Sequence, residues 1–170
     1  MVRRADYNID IFKLSNSSHQ YDFEFDDSFF DLFEESLVEK GNGKVSLVLL
    51  KSDSFIQLKF EITGEIELVC DRSLEPFWNK LELKNKLLLK FGDDWEELSD
   101  EILMMPRGEQ TINVAQYIYE FIGVSIPMKK LHPKFNNEDE EDDFLYSSED
   151  SNEDDNSTID PRWKKLKDLK

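Results

Sequence analysis

Apolar and polar residues alternate through most of the first two thirds of the chain. Tyr7, Ile9 and Ile11, for example, are separated by Asn8 and Asp10. A period of two places apolar side chains on one face of a strand and polar side chains on the other. The pattern predicts strands at residues 7–11, 21–25, 45–50, 56–62, 65–70, 78–91 and 102–105, of which 78–91 is one long strand or two linked ones. Loops or irregular segments are expected at residues 15–20, 93–101 and 107–113.

The clearest alternation precedes the single cysteine of the chain, Cys70. Gly64 interrupts it, and a residue without a Cβ suits a bulge or a sharp bend. We therefore expect Gly64 to bend a fourth strand into a fifth. Pro76 cannot donate a hydrogen bond to a sheet ladder, so the fifth strand is expected to end in a polar turn that carries Cys70, Asp71 and Arg72.

Two stretches have apolar residues at helical spacing. The first spans residues 28–40, begins at a cap formed by Asp27 or Ser28, and ends at the glycines that follow. The second spans residues 114–124 and begins after a cap at Asn113. Their apolar stripes comprise Phe29, Leu32, Phe33 and Leu37 in the first, and Val114, Tyr117, Ile118, Phe121 and Ile122 in the second.

The strands and helices together predict an α+β fold. Short connections, such as residues 51–54, favour antiparallel neighbours, because parallel strands need long crossovers. We expect a bent antiparallel sheet, or a partial barrel, of about six to seven strands with two helices.

The C-terminal residues differ sharply in composition from the rest of the chain. Eleven carboxylates lie between Glu138 and Asp155 without a Lys or Arg among them. The rest of the chain carries a net charge of −6, compared with −17 for the whole chain. Such a segment buries too little apolar surface to offset its ordering entropy. The predicted organisation is a single α+β domain over residues 1–135, an acidic disordered linker over 136–158 and a short amphipathic helix over 159–170.

Cysteine content, hydropathy and charge bear on compartment and partners. A single cysteine provides no disulfide framework. No run approaches the roughly 18 apolar residues of a membrane span, and no apolar segment follows the N-terminal arginines as in a secretory signal. We therefore expect a cytoplasmic protein without a membrane partner. Its acidic charge favours a basic partner, since nucleic acid usually meets a basic protein face.

Few residues follow the pattern of a catalytic or metal site. Cys70, His19 and His132 are far apart in sequence, whereas a structural zinc site needs four ligands at recognisable spacing. No base accompanies Cys70, so a turn-stabilising role is favoured over a nucleophilic one. Glycine-rich phosphate loops and Gly-x-Ser-x-Gly motifs are absent from the sequence. We expect neither catalysis nor a bound metal or cofactor.

Several strings occur in an order that resembles a known family. They are GEIELVCDRSLEPF, LLLKFGDD, YIYEFIGVSIPMKKLHP and the terminal DPRWKKL. Together they resemble the YceD-like family of bacteria and plastids, described as large ribosomal RNA subunit accumulation proteins. The resemblance is expected to run from about Tyr7 to the last residues, with the exception of the acidic insert at 137–157. Family members often have Cys-x-x-Cys at the turn, whereas this chain has Ser73 in the second position.

The resemblance implies a role in the accumulation of large-subunit ribosomal RNA and in ribosome assembly. With the acidic charge, it leads us to expect a non-enzymatic factor that binds a basic large-subunit ribosomal protein. The alternative is direct binding of large-subunit ribosomal RNA or its precursor, and a nuclease is the third possibility, which no motif supports. The candidate binding residues are Asp71, Arg72, Lys129, Lys130, Lys134, Trp163, Lys164 and Lys165.

Each candidate also has a structural interpretation. Asp71 and Arg72, which the family keeps at this turn, could lock the turn through side-chain to backbone hydrogen bonds. Alternatively, Arg72 could bind an RNA phosphate or a partner's carboxylate through both of its terminal nitrogens. The terminal helix at 159–170 either docks on the domain or meets RNA or a partner as a tethered basic peptide.

Overall fold

Six strands form one open sheet in the computed structural model, which describes residues 3–135. The helices are α1 (Asp27–Phe30) and α2 (Ala115–Ser125), and two 3₁₀ turns lie at Arg4–Tyr7 and Pro133–Phe135. The strands are β1 (Asn8–Asp10), β2 (Ser18–Phe25), β3 (Gly41–Lys51), β4 (Phe55–Val69), β5 (Pro76–Gly92), β6 (Glu96–Ser99), β7 (Ile102–Pro106) and β8 (Thr111–Asn113).

The strand order of the main sheet is β2-β3-β4-β5-β7-β6, and β1 pairs with β8 in a separate two-stranded sheet. All pairs are antiparallel except β5 with β7. Within the described residues β2 and β6 remain edges, so the sheet does not close into a barrel. The predicted α+β class with two helices is therefore confirmed, and the sheet is antiparallel, as expected, except for the β5–β7 pair.

The core lies between one face of the sheet and α2. Alternate residues of β3 and β4 are fully buried, as the period of two predicts. From α2, Ile118 and Ile122 are buried, and the ring of Phe121 lies 5.2 Å from that of Phe60 on β4. The predicted stripe of the second helix thus covers the sheet, and the Asn113 Oδ1 atom accepts a hydrogen bond from the first helical N–H, that of Ala115, at 3.1 Å.

The predicted bend at Gly64 is wrong, because β4 runs through it without a break in register. Gly64 lies directly opposite Gly43 on β3. A Cβ atom at Gly64 would lie 2.3 Å from the Asn42 carbonyl oxygen and 2.7 Å from the Gly43 Cα. The glycine therefore permits close approach of two backbones, which is the other reason for a glycine inside a strand.

The predicted first helix, residues 28–40, is also wrong in length, since α1 ends at Phe30. The cap is Asp26, whose carboxylate accepts the Ser28 N–H at 2.9 Å. Phe, Ser and Asp are weak helix formers, so tertiary packing decides the path of this segment. Phe29 and Phe30 are both buried, and Glu35 has a φ of 56°, which no helix continues through.

Three segments expected to be irregular contain strand residues. β2 begins at Ser18, β6 lies within residues 93–101, and β8 pairs with β1. β6 forms the outer edge, and β7 returns between β6 and β5, which makes β7 parallel to β5. The short connections are therefore compatible with one parallel pair.

The remaining predictions concern other parts of the chain. No helix among residues 3–135 is long and apolar enough to cross a membrane. The predicted acidic linker at 136–158 and terminal helix at 159–170 lie outside the described residues.

Candidate binding site at the Cys70 turn

The Cys70 turn, residues 70–75, joins β4 to β5. The Cys70 N–H donates to the Glu75 carbonyl at 3.0 Å, and the Leu74 N–H donates to the Cys70 carbonyl at 2.9 Å. Leu74 has a φ of 58°, in the left-handed region that bulky residues rarely adopt. The backbone therefore closes this turn at the cost of strain at Leu74.

A distant segment, residues 129–135, docks on the turn through its backbone. The Lys130 N–H donates to the Asp71 carboxylate at 2.7 Å, and the Asp71 N–H donates to the Lys130 carbonyl at 2.8 Å. The His132 N–H points at the Cys70 Sγ atom, 3.3 Å away. These contacts join two parts of the chain that are about 60 residues apart in sequence.

Ion pairs accompany the backbone contacts. Lys130 Nζ lies 3.7 Å from the Asp71 carboxylate, and Lys134 pairs with Glu75. The hydrogen bond and charge of Lys134 lower the pKa of the Glu75 carboxyl below its usual value. All four side chains are partly exposed, so these pairs position the segment more than they stabilise the fold.

Arg72 lies over an aromatic ring of the same segment. Its guanidinium carbon is 4.7 Å from the centre of the Phe135 ring, and Lys134 Nζ is 5.1 Å from that centre. Arginine stacks well on aromatic faces because its planar guanidinium is weakly hydrated. The aromatic face thus orients Arg72 at the edge of the turn.

The Cys70 side chain is fully buried beneath the turn. Burial raises the pKa of its thiol, but polar groups of Ser73 and the backbone N–H groups of His132 and Arg72 stabilise the thiolate and lower the pKa to about 7. A nucleophile needs access to its substrate as well as a low pKa. The geometry therefore suits an acceptor that ties the turn to residues 129–135.

The structure brings together most of the residues predicted to bind a partner. Five of them lie on the turn or on the docked segment: Asp71, Arg72, Lys129, Lys130 and Lys134. The other three, Trp163, Lys164 and Lys165, lie outside the described residues. Of the two histidines, only His132 lies near Cys70, and its ring is 5.7 Å from that of Phe77. His19 lies on β2, where its ring bonds Ser15 and Ser17 of the preceding loop.

Four exposed apolar side chains beside this cluster were missed by the sequence analysis. Leu74 is 77% exposed at the tip of the turn, and Met128, just before the docked segment, is fully exposed. Val69 and Trp78 are about half exposed at the adjoining ends of β4 and β5, where the register places them on one face. Val69 and Trp78 had a sequence signal, since their positions in the alternation of β4 and β5 predict outward side chains.

Away from the Cys70 turn, the described residues form an open cleft beside Tyr7. The cleft has a volume of about 810 Å³ and is lined by Tyr7 and by the carboxylates of Asp22, Glu24 and Glu61, among others. Burial, followed by the charge of Asp26, raises the pKa of Tyr7 to about 12, so this phenol stays neutral at physiological pH. Among residues 3–135, no group of three or more His, Cys, Asp and Glu side chains is placed to hold a metal ion.

Comparison with known proteins places the site in a family. The family model for the large ribosomal RNA subunit accumulation protein YceD matches residues 58–170. No curated protein and no solved structure gives a match.

The matched region begins within β4 and includes the whole Cys70 turn and the segment docked on it. The resemblance was expected from about Tyr7, so the family model covers less of the N-terminal half than expected. It still spans about two thirds of the chain, including every candidate binding residue. This protein therefore belongs to the YceD family of large ribosomal RNA subunit accumulation proteins.

Proposed function

We propose that the chain supports accumulation of large-subunit ribosomal RNA as a non-enzymatic factor that binds a basic large-subunit ribosomal protein. The Cys70 turn is its docking surface, with Leu74 as the central contact. One observation carries this proposal: a leucine side chain is held outward, 77% exposed, on a backbone conformation that leucine disfavours.

The strain at Leu74 supports a role in recognition. Left-handed backbone costs a bulky residue about 1–2 kcal/mol, and such conformations cluster at binding and switch regions. The turn's own hydrogen bonds and the docked segment hold Leu74 in place. A preorganised apolar contact loses little conformational entropy when a partner covers it.

The long acidic run favours a basic partner. In the turn, Asp71 and Glu75 are balanced by Lys130 and Lys134, so the excess negative charge comes from the run of eleven carboxylates that follows the docked segment in sequence. Charges of this sign accelerate encounter with a basic protein and disfavour acidic competitors. An apolar contact ringed by charged groups also resembles the usual organisation of a transient interface.

The proposal assigns no chemical step to the chain. Cys70 is the one nucleophilic thiol in the sequence, and it is buried and accepts a hydrogen bond from His132.

The alternative, direct RNA binding at this site, is less well supported. Lys130 and Lys134 are already paired with carboxylates of the turn, and each would have to exchange that partner for a phosphate.

The substitution Leu74→Asn tests the docking surface. Asparagine tolerates the left-handed conformation, so the variant is expected to fold while it loses the apolar contact. We expect the tagged wild-type chain to capture a basic large-subunit protein from ribonuclease-treated extract, and the variant to capture at least about tenfold less.

Val124→Asn is the matched control, because Val124 is 86% exposed on α2. It should capture as much as the wild type. Equal capture by the Leu74 variant, or capture by the wild type that ribonuclease abolishes, would count against the proposal.

A further inference from the structure

Four lysines lie together on the solvent-facing side of the sheet, on β4 and on the half of β5 remote from the Cys70 turn. We call this set the lysine stripe, and it comprises Lys59, Lys84, Lys86 and Lys90. All four are exposed. A strand rises about 3.4 Å per residue, so Lys84 and Lys90, which are six residues apart, are separated by about 20 Å along β5.

The register places two of these charges directly against each other. Lys59 on β4 is the cross-strand partner of Lys86 on β5, and Lys84 is the partner of Glu61. Like charges at opposed positions destabilise a sheet. This arrangement is unexpected in a chain whose net charge is −17, since carboxylates are abundant elsewhere.

Carboxylates lie near the stripe, and one of them pairs with it. Asp100 and Glu101 line a pocket with Lys84 and Lys86, but within residues 3–135 they form no ion pair with them. Lys84 pairs with Glu61 at 3.1 Å, and both side chains are mostly exposed. Within residues 3–135, Lys59, Lys86 and Lys90 form no ion pair. The ammonium groups of the opposed pair Lys59 and Lys86, and of Lys90 farther along β5 beyond Leu88, are therefore available to an external anion.

Protection of a sheet edge explains only part of the stripe. Residues 76–87 of β5 have β4 on one side and no described strand on the other, and lysines commonly prevent such edges from pairing. This accounts for Lys84 and Lys86. It does not account for Lys59, because β4 is a central strand that is paired on both sides.

We propose that the lysine stripe binds the phosphate backbone of RNA. Lysine ammonium groups meet phosphates as point charges, which suits sequence-independent tracking of a strand. The opposed pair of Lys59 and Lys86 becomes favourable once a phosphate lies between the two ammonium groups. The stripe is distinct from the Cys70 turn, since Trp78 and Lys86 are about 27 Å apart along β5. The protein thus has room to hold a ribosomal protein and ribosomal RNA at once.

The double substitution Lys59→Gln and Lys86→Gln tests the stripe on the full-length chain. The probe is a labelled oligouridylate, and its affinity is measured by fluorescence anisotropy at a series of salt concentrations. We expect affinity to fall about tenfold, and the slope of log K against log salt to decrease by about 1.4, since each phosphate contact on a single strand contributes about 0.7.

A double variant with the same loss of charge is the control. Lys13→Gln and Lys40→Gln remove two lysines that pair with Asp10 and Glu67 away from the stripe, and should leave affinity and slope near the wild type. Equal effects of the two double variants, or no RNA binding by the wild type, would overturn the proposal. So would equally tight binding of polyglutamate, which would make the stripe a general anion site.

The docking surface at the Cys70 turn and the lysine stripe can be tested independently. The stripe variant is expected to retain capture of the ribosomal protein, and Leu74→Asn is expected to retain oligouridylate binding. Loss of both activities in the stripe variant, with circular dichroism showing an intact fold, would contradict two separate surfaces and overturn the assignment of the stripe to RNA.

Discussion

Single residues decide how closely the central strands of the sheet approach. Replacement of Gly64 by alanine places a Cβ atom 2.3 Å from the Asn42 carbonyl oxygen. This oxygen belongs to the backbone of β3, which cannot move aside as a flexible side chain does. We expect Gly64→Ala to lower the free energy of unfolding by about 1–3 kcal/mol, the usual cost of overpacking, as measured by urea denaturation.

Gly123→Ala is the natural comparison for that substitution. A Cβ atom at Gly123, in α2, would meet no atom of another part of the chain within 4 Å, so alanine fits without a clash. Alanine there is expected to stabilise the protein by about 0.5–1 kcal/mol, because glycine is costly inside a helix. Destabilisation by both substitutions, or by neither, would contradict the close approach inferred at Gly64.

Cys70 is expected to make stability depend on pH. Its thiol pKa in the folded protein is lowered to about 7, against about 8.5 in an unfolded chain. Between these values the unfolded state binds more protons, so the free energy of unfolding rises with pH. The contribution is fully present above the unfolded pKa and is lost as pH falls through about 7. Urea denaturation between about pH 6 and 9 measures this, and Cys70→Ser is expected to remove the rise.

At the scale of elements, the contact between the Cys70 turn and residues 129–135 assembles the candidate binding site. Asp71 bonds the Lys130 N–H and carries its ion pair. We expect Asp71→Ala to cost about 1–2 kcal/mol of stability and to speed hydrogen exchange at the Lys130 amide. Asp10→Ala removes an exposed pair with Lys13 and should leave that exchange rate unchanged. Unaltered exchange in the Asp71 variant would show that other contacts hold the segment.

The helix predicted over residues 28–40 shows how packing overrides a periodic pattern. Phe29 and Phe33 do recur at helical spacing, and their rings contact at 5.4 Å. Phe30, however, is also buried, against Phe25, so the segment has apolar residues on more than one helical face. The carboxylate of Asp27 instead bonds the Gly41 N–H at 2.9 Å and fixes the start of β3.

At the scale of the whole molecule, charge is distributed unevenly. The run of eleven carboxylates is separated in sequence from the lysine stripe. Deletion of residues 138–155 is expected to slow association with the basic partner and to flatten its salt dependence, because long-range attraction is screened by salt. Stopped-flow association at two salt concentrations measures this, with Leu74→Asn as the control that mainly raises the dissociation rate. Association that is insensitive to salt in the full-length chain would contradict the electrostatic part of the proposal.

The sequence by itself determined the α+β class, most strands, the second helix, the turn at Cys70 and the family. These are local properties, since alternation, helical periodicity and turn chemistry depend on residues within a few positions of each other. The strings around the turn also carried the family resemblance, and the family model matches this region.

Only the tertiary structure decided which distant residues share a surface. The docking of Lys130 and His132 on Asp71 and Cys70 joins positions about 60 residues apart, and no local pattern encodes such a contact. The opposition of Lys59 and Lys86 likewise depends on the register of β4 with β5, and a shift of one residue would turn one lysine to the other face. The role of Gly64 also depends on tertiary structure, because it is set by the strand that lies opposite the glycine rather than by its neighbours in sequence.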